Sequence, residues 1–224
     1  MTRLARNLIR MPTRALRSLN RRRSPAYSLQ KSADREIQIA IPQGRLEQLA
    51  RVPGTSSTRE CRLLAHLAMT APKGGCIVEI GAFKGKSTAW IVEGATLRDQ
   101  VMPVVSIDPH QRDTWNSFCD TVLRFQLERR GLEVRRAMSH VVGAQWNRPI
   151  SLLWIDGSHE YEDVVHDIED FVPHVVAGGW VVFDDAAGEP FPGVSKAIAE
   201  RMALRPGFES FGLLKHFAIF RRTG

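Results

Sequence analysis

The chain has 224 residues, of which 43% are hydrophobic and 25% are charged, a size and balance typical of one α/β domain with an extension. No apolar run approaches the ~20 residues that are needed to cross a bilayer. The three cysteines, Cys61, Cys76 and Cys119, are scattered and form no CxxC pair. This argues against a disulfide framework or a structural zinc site, and for reduced thiols in a cytoplasmic-type compartment.

The net charge of +7 is unevenly distributed along the chain. Residues 1–33 carry eight arginines, one lysine and no acid, whereas the remainder has 22 basic and 24 acidic residues. We interpret residues 1–33 as a basic arm that is either solvated and mostly disordered or amphipathic, lying on an anionic membrane surface or a protein partner. An organellar transit peptide is a further alternative. The nearly neutral remainder argues against nucleic-acid binding.

After the arm, residues 34–57 form a polar connection, and a helix capped by Ser57 or Thr58 follows. Apolar runs predict strands at residues 76–80, 101–107, 132–134, 150–155, 180–183 and 213–220. Helical spacing predicts helices at residues 58–69, 88–95, 113–130, 164–172 and 194–204, with a polar turn at 138–140. This alternation predicts one folded domain over residues 58–224, a three-layer α/β sandwich with a mainly parallel sheet.

Acidic residues follow two of these predicted strands. Asp156 ends the run at 150–155, Asp184 and Asp185 end the run at 180–183, and Gly178–Gly179 is expected to end the helix between them. A strand–helix–strand unit of this length makes its strands parallel, so the three carboxylates meet at one edge of the sheet. Open α/β sheets bind ligands at that edge.

Three carboxylates without a counter-ion would repel one another, and a hard divalent cation would remove that cost. The alternatives are that Asp156 caps the following turn and that Asp184 or Asp185 faces solvent. His159 lies three residues beyond Asp156, and a histidine can accept a proton near neutral pH. The histidines at 110, 166, 174 and 216 are expected to have no role.

The run CIVEIGAFKGKST has the order of a nucleotide-binding turn: strand, acid, glycine, and a second glycine that opens a helix. Gly81 lets a ligand approach the backbone, and the helix start offers free N–H groups. The spacing to Gly85 is one residue too short for a GxxxxGK[ST] loop, and Phe83 breaks a GxGxxG fingerprint. The pattern that remains is Glu79-x-Gly81-x-x-x-Gly85, followed by Asp108 at the next strand end, where an acid can hold a ribose diol.

This order of features resembles the class I S-adenosylmethionine-dependent methyltransferases. Within them, VEIGAFKGKST and IDGSHEYEDV resemble the catechol-type O-methyltransferases and, more closely, those that modify macrolide sugars (methyltransferase family 24). The likeness covers roughly residues 58–220, and DGSHEYE followed by GGWVVFDD is its most specific part. It implies a Rossmann-like methyltransferase sandwich with a seven-stranded, mainly parallel sheet, and S-adenosylmethionine as cofactor. Phe83 is a departure, since many members have glycine there, although the catechol-type branch tolerates an aromatic residue.

The resemblance also implies roles for single residues. The cofactor-binding set is Glu79, Gly81, Phe83, Gly85, Ser87, Asp108, Ser139 and His140. In that set the loop residues line the methionine end with Glu79 beneath them, Asp108 takes the ribose hydroxyls, and Ser139 and His140 border the adenine. Asp156, Asp184 and Asp185 would hold Mg²⁺ or a similar divalent cation. His159 occupies the place of the catechol-type lysine base and forms the catalytic pair with Asp156; alternatively it orients the acids.

The sequence therefore predicts an S-adenosylmethionine-dependent, divalent-metal-assisted O-methyltransferase that acts on a hydroxyl of a small molecule, such as a sugar or glycosylated metabolite. The alternatives are a non-catalytic protein of methyltransferase fold that is recruited by its basic arm, and a methyltransferase of a lipid-linked glycan. We expect a cytoplasmic protein or one peripheral at a membrane. The sequence leaves a homo-oligomer open.

Overall fold

The structure is a computed structural model that describes residues 24–224. The basic arm predicted at residues 1–33 therefore lies outside the described residues, except for its last ten positions. Within the described part of the chain, no helix combines the length and the apolar character needed to span a membrane.

Seven strands form a single sheet. They are β1 (Cys76–Ile80), β2 (Val104–Ile107), β3 (Leu132–Arg135), β4 (Ile150–Ile155), β5 (Val175–Phe183), β6 (Phe208–Leu214) and β7 (Phe217–Arg222). Their spatial order is β3-β2-β1-β4-β5-β7-β6, with the first five parallel and β7 antiparallel to both of its neighbours. The predicted seven-stranded, mainly parallel sheet is confirmed.

Helices cover both faces of this sheet. They are α1 (Pro25–Ala40), α2 (Gln43–Ala50), α3 (Thr58–Thr70), α4 (Lys86–Thr96), α5 (Arg112–Phe125), α6 (Ser139–Gly143), α7 (Tyr161–Phe171) and α8 (Pro192–Ala197). Alternate strand residues point to opposite faces, so Leu152 packs in one core with α1–α5 and Leu153 in another with α7 and α8. These two cores give the three-layer architecture that the alternation predicted.

The folded body begins earlier than predicted. Helix α1 starts at Pro25, where the Ser24 hydroxyl accepts a hydrogen bond from the N–H of Tyr27, and it buries Ala33 and Ile37. The division predicted at residue 33 therefore falls inside a helix, and residues 34–57 are mostly helical rather than a linker. The pattern is weak because the buried face of α1 consists of Ala26, Gln30, Ala33 and Ile37, of which only Ile37 is a large apolar residue.

The C-terminal half also differs from the prediction. The single strand expected at 213–220 is a hairpin, because the chain reverses at Lys215, which takes a left-handed φ of 54° without a glycine. Strand β5 begins at Val175, so Gly178–Gly179 lie inside a strand and do not end the preceding helix α7. That helix is followed by a 3-10 turn that contains Pro173. The expected polar turn at 138–140 begins helix α6, and the helix expected at 194–204 is α8, continued by a π turn at Ile198–Met202.

We predict that Gly94→Ala lowers the free energy of unfolding by about 2–3 kcal/mol. A Cβ at Gly94 in α4 would overlap the carbonyl oxygen of Ala65 in α3, so the two helices would have to move apart. The matched control is Gly44→Ala in α2, where a Cβ meets no heavy atom within 4 Å and alanine favours the helix. Denaturant unfolding of both variants checks this, and equal stability of the two would contradict it.

Candidate active site

A cleft of about 660 Å³ lies at the carboxyl edge of the parallel strands. It opens where the strand order reverses between β1 and β4, the place at which open α/β sheets bind ligands. Its polar and aromatic lining comes from the ends of β1, β2, β4 and β5, from the start of α3 and the segment before it, from α6 and α7, from the residue before α8, and from the β6–β7 turn. These lining residues include Thr55, Ser56, Glu60, Gly81, Phe83, Asp108, Ser139, His140, Asp156, His159, Asp163, His166, Asp184, Asp185, Phe191 and His216.

Gly81 begins the loop between β1 and α4, residues 81–85, which we call the glycine loop, and it contacts the end of β4. Its φ is +90°, and a Cβ at this position would overlap the backbone carbonyl of Asp156. The N–H of Asp156 donates to the carbonyl of Ile80 at 2.8 Å, and the N–H of Gly81 donates to the carbonyl of Ile107 at 2.9 Å. The glycine loop and the first acid of the cleft are thus in direct backbone contact, and only glycine allows it.

Phe83 occupies the centre of the glycine loop with a φ of 49°. This left-handed conformation is one that glycine adopts without strain, which gives a physical reason why glycine is common at this position in the resembling class. The Phe83 side chain remains 41% exposed at the cleft. With phenylalanine instead of glycine at this position, the loop presents an aromatic side chain to the cleft.

Asp108 ties the glycine loop to the end of β2. Its Oδ2 accepts the N–H groups of Ala82 and Phe83, each at 2.8 Å, and its Oδ1 accepts the N–H of His110 at 2.7 Å. The same carboxylate lines the cleft. Backbone donors therefore fix its orientation before any ligand arrives.

Glu79 lies beneath the loop and is fully buried. It accepts hydrogen bonds from Ser87 Oγ and Thr88 Oγ1, both at 2.6 Å, and from Ser106 Oγ at 2.8 Å. Burial raises the pKa of Glu79 to about 7, although the three hydroxyl groups favour its ionised form. Glu79 therefore supports the loop from behind.

The predicted cofactor-binding set divides into two groups. Those that line the cleft are Gly81, Phe83, Asp108, Ser139 and His140, whereas Glu79, Gly85 and Ser87 lie behind it. Ser87 is buried against Glu79, and Gly85 caps α4 with a φ of 86°. The sequence pattern did not distinguish residues that face a ligand from residues that hold the loop.

Asp156, Asp184 and Asp185, together with His159, form an acid group at the ends of β4 and β5. Potential metal-ligand atoms of Asp156, His159 and Asp185 all lie within 4.8 Å of one another. His159 Nε2 is 2.9 Å from Asp185 Oδ2, and the imidazole stacks on Phe191 with ring centroids 3.8 Å apart. Two carboxylates and an imidazole at this spacing suit a divalent cation.

The carboxylates of this group repel one another, which disfavours their ionised forms. Burial raises the pKa of Asp156 well above its usual range, and the neighbouring Asp184 and Asp185 raise it further. Burial also raises the pKa of Asp184 to about 6. A divalent cation would offset this repulsion, so the residues present fit such an ion.

Asp184 differs from the other two acids. Its Oδ1 accepts the N–H of Asp185 at 2.7 Å and lies 3.3 Å from His216 Nε2, which is 3.5 Å from Glu60 Oε1. Asp156, His159 and Asp185 form the close set of potential ligand atoms, and the predicted trio that includes Asp184 stays a prediction.

Several residues that line the cleft were not assigned from the sequence, among them His216, Glu60 and His166. His216 was expected to have no role, and its position depends on the hairpin turn that the strand pattern concealed. Glu60 was overlooked, although Ser57-x-x-Glu60 is a capping-box pattern that places it at the start of α3. His166 also lines the cleft, whereas His110 is buried against Trp115 and Phe118.

We predict that the wild-type protein loses stability relative to Glu79→Gln as the pH rises from about 5 to about 8. The folded pKa of about 7 exceeds the ordinary value of 4.5, so the folded state retains a proton that the unfolded state releases. That contribution is complete below pH 4.5 and is lost as the pH passes 7. Unfolding midpoints across this range check it, with the exposed Glu47→Gln as control; parallel profiles for wild type and Glu79→Gln would refute it.

Three comparisons bear on this cleft. Residues 78–186 match a family model described as "Methyltransferase domain". The uncharacterized protein R132 of Acanthamoeba polyphaga mimivirus is 26% identical over 157 residues, which cover 63% of this chain and 67% of the relative.

Solved structures share the fold. An O-methyltransferase from Bacillus cereus in complex with S-adenosylhomocysteine superposes with a TM-score of 0.65 at 18% identity, over 87% of this chain and 96% of that one. The TDP-rhamnose 3'-O-methyltransferase CalS11 of calicheamicin biosynthesis superposes with a TM-score of 0.57 at 14% identity, over 98% and 91%. The match to the methyltransferase-domain model spans both the glycine loop and the acid group, and the solved structures show that the chain has the fold of S-adenosylmethionine-dependent O-methyltransferases.

Proposed function

We propose that the protein is an O-methyltransferase that uses a divalent cation and acts on a hydroxyl of a small molecule, such as a sugar or glycosylated metabolite. The observation that carries this proposal is the backbone contact between Gly81 and Asp156, which puts the cofactor loop and the acid group in one cleft. The Bacillus cereus O-methyltransferase and the TDP-rhamnose enzyme, which share the fold, support transfer to oxygen and to a sugar.

In this proposal the loop side of the cleft holds the cofactor. S-adenosylmethionine, when bound, supplies an electrophilic methyl group on its sulfonium. Gly81 and Phe83 would border its methionine end, Asp108 would accept from the ribose hydroxyls, and Ser139 and His140 would border the adenine. Asp108 suits this role because three backbone N–H groups already hold its carboxylate in place.

The opposite side of the cleft would hold the cation and the acceptor. Asp156 and Asp185 would bind the cation together with His159 or Asp184, and the ion, when bound, supplies positive charge that makes a nearby hydroxyl more acidic. Where Asp184 completes the cation ligands, His159 would be left to take the hydroxyl proton, and its contacts with Asp185 and Phe191 would fix the imidazole ring for that role. Rate enhancement then depends mostly on alignment of the acceptor oxygen with the methyl group.

The cleft offers no basic side chain to a polyanionic acceptor. Six carboxylates line it, those of Glu60, Asp108, Asp156, Asp163, Asp184 and Asp185, and no lysine or arginine does so among the side chains that the structure describes. A bound divalent cation would offset part of this charge, but a nucleic-acid backbone would meet unfavourable potential at the remaining carboxylates. This argues against nucleic acid as the acceptor.

Calorimetric titration with S-adenosylhomocysteine tests cofactor binding. We expect wild-type protein to bind it and Asp108→Asn to bind about 10- to 100-fold more weakly, because a charged hydrogen bond to the ribose is lost. Asp99→Asn, an exposed acid at the other end of the sheet, is the control and should bind as wild type does. Failure of the wild-type protein to bind at millimolar ligand would contradict the proposal.

For the proton transfer, we expect His159→Ala to lower kcat on the order of 10²-fold while the affinity for S-adenosylhomocysteine is retained. His174→Ala, which lies outside the cleft, serves as the control. Initial rates with an accepted hydroxyl compound and calorimetric Mn²⁺ titrations of both variants are the measurements. An unchanged kcat would rule out His159 as the base, and a loss of Mn²⁺ binding would assign it to the cation instead.

A further inference from the structure

Glu60 is a largely buried carboxylate on the cleft wall that the proposed chemistry leaves without a task. Its side chain is 7% exposed, and its two oxygens point to different parts of the fold. Oε2 accepts the N–H of Ser57 at 2.8 Å, which closes the capping box of α3. Oε1 accepts from Lys215 Nζ at 2.9 Å and lies 3.5 Å from His216 Nε2. One carboxylate therefore joins the start of α3 to the β6–β7 turn.

The β6–β7 turn is held on its other side by the chain that follows β5. The N–H of Ala186 donates to the carbonyl of His216 at 2.8 Å, two residues after Asp184. The imidazole of His216 then stands between two carboxylates, with Nε2 3.3 Å from Asp184 Oδ1 and 3.5 Å from Glu60 Oε1. His216 therefore lies between Glu60 and Asp184 and contacts both carboxylates.

The two partners of Glu60 Oε1 differ in what they can contribute. Lys215 is 53% exposed, and an ion pair with such a lysine contributes little in water. His216 reaches into the cleft, where it meets an acid whose side chain is only 11% exposed. The contact with consequences for the site is therefore the one through His216.

We propose that Glu60 and His216 are positioning residues that hold the carboxylate of Asp184 at the acid group. They act from elements distant in sequence, the start of α3 and the β6–β7 turn. This inference rests on the proposed function only in taking the acid group as the place where the cation and the acceptor meet. Residues that orient a metal-binding group commonly affect metal affinity or activity nearly as much as the ligands do.

Two substitutions three residues apart separate positioning from helix stability. Glu60→Gln keeps a capping-box residue at the third position of α3 but removes the charge that faces His216. Ser57→Ala removes the hydroxyl that accepts the N–H of Glu60, while the backbone N–H at position 57 still holds the Glu60 carboxylate. His216→Gln tests the middle member directly.

The full chain is titrated with Mn²⁺ by electron paramagnetic resonance, and its Tm is measured. We expect Glu60→Gln and His216→Gln to weaken Mn²⁺ binding about tenfold with little change in Tm. Ser57→Ala should lower Tm by about 2–4 °C and leave the Mn²⁺ affinity unchanged. Wild-type Mn²⁺ affinity in Glu60→Gln would overturn the proposal, as would an equal loss in Ser57→Ala.

An NMR measurement on the imidazole nitrogens separates this inference from the proposed function. The His216 signals, assigned by their disappearance in His216→Gln, should shift in Glu60→Gln and remain in place in Ser57→Ala. If the wild-type protein binds neither S-adenosylhomocysteine nor Mn²⁺, the proposed function fails, whereas these signals still report whether Glu60 positions His216. His216 signals that do not respond to Glu60→Gln would refute the positioning role.

Discussion

The contact between Gly81 and the backbone of Asp156 is the constraint on which the site depends. Because β1 and β4 are neighbours at the point where the strand order reverses, the loop after one strand must pass the end of the other. The absence of a side chain at Gly81 lets the two backbones touch. The loop then borders one side of the cleft, and the acids after β4 and β5 border the other. A side chain at this position would separate the two halves that the proposed methyl transfer must bring together.

Carboxylates behind and beside the cleft maintain that geometry through hydrogen bonds to the protein itself. Glu79 accepts three hydroxyl groups beneath the loop, and Asp108 binds two of the loop's backbone N–H groups while it also lines the cleft. Glu60 does the equivalent on the opposite wall, where it joins α3 to the β6–β7 turn. Each carboxylate is paired with donors, which is the condition under which a buried acid is tolerated. The acids after β4 and β5 instead have raised pKa values, because burial and mutual repulsion disfavour their charged forms.

The sequence predicted most of the parallel part of the fold and the convergence of Asp156 with the pair of acids after β5. Those predictions rest on local patterns, apolar runs that end in acid or glycine, and on the resemblance to a family. Helix α1 was missed because Ile37 is the only large apolar residue on its buried face, and the β6–β7 hairpin because Lys215 supplies the turn that glycine usually marks. The roles of Glu60 and His216 depend on contacts between elements far apart in the chain, which no local pattern encodes. For the same reason the sequence could not separate Ser87, which supports the loop, from residues that line the cleft.

A crystal structure of the protein with S-adenosylhomocysteine and Mn²⁺ is the decisive measurement for the proposed site. We expect the ribose hydroxyls to contact Asp108, the cation to contact Asp156 and Asp185, and the cofactor sulfur to face the space between the cation and His159. The same crystal would show which of His159 and Asp184 completes the set of cation ligands. A cofactor that lies in the cleft with its sulfur turned away from the acid group, or a cation bound elsewhere, would refute the proposed site.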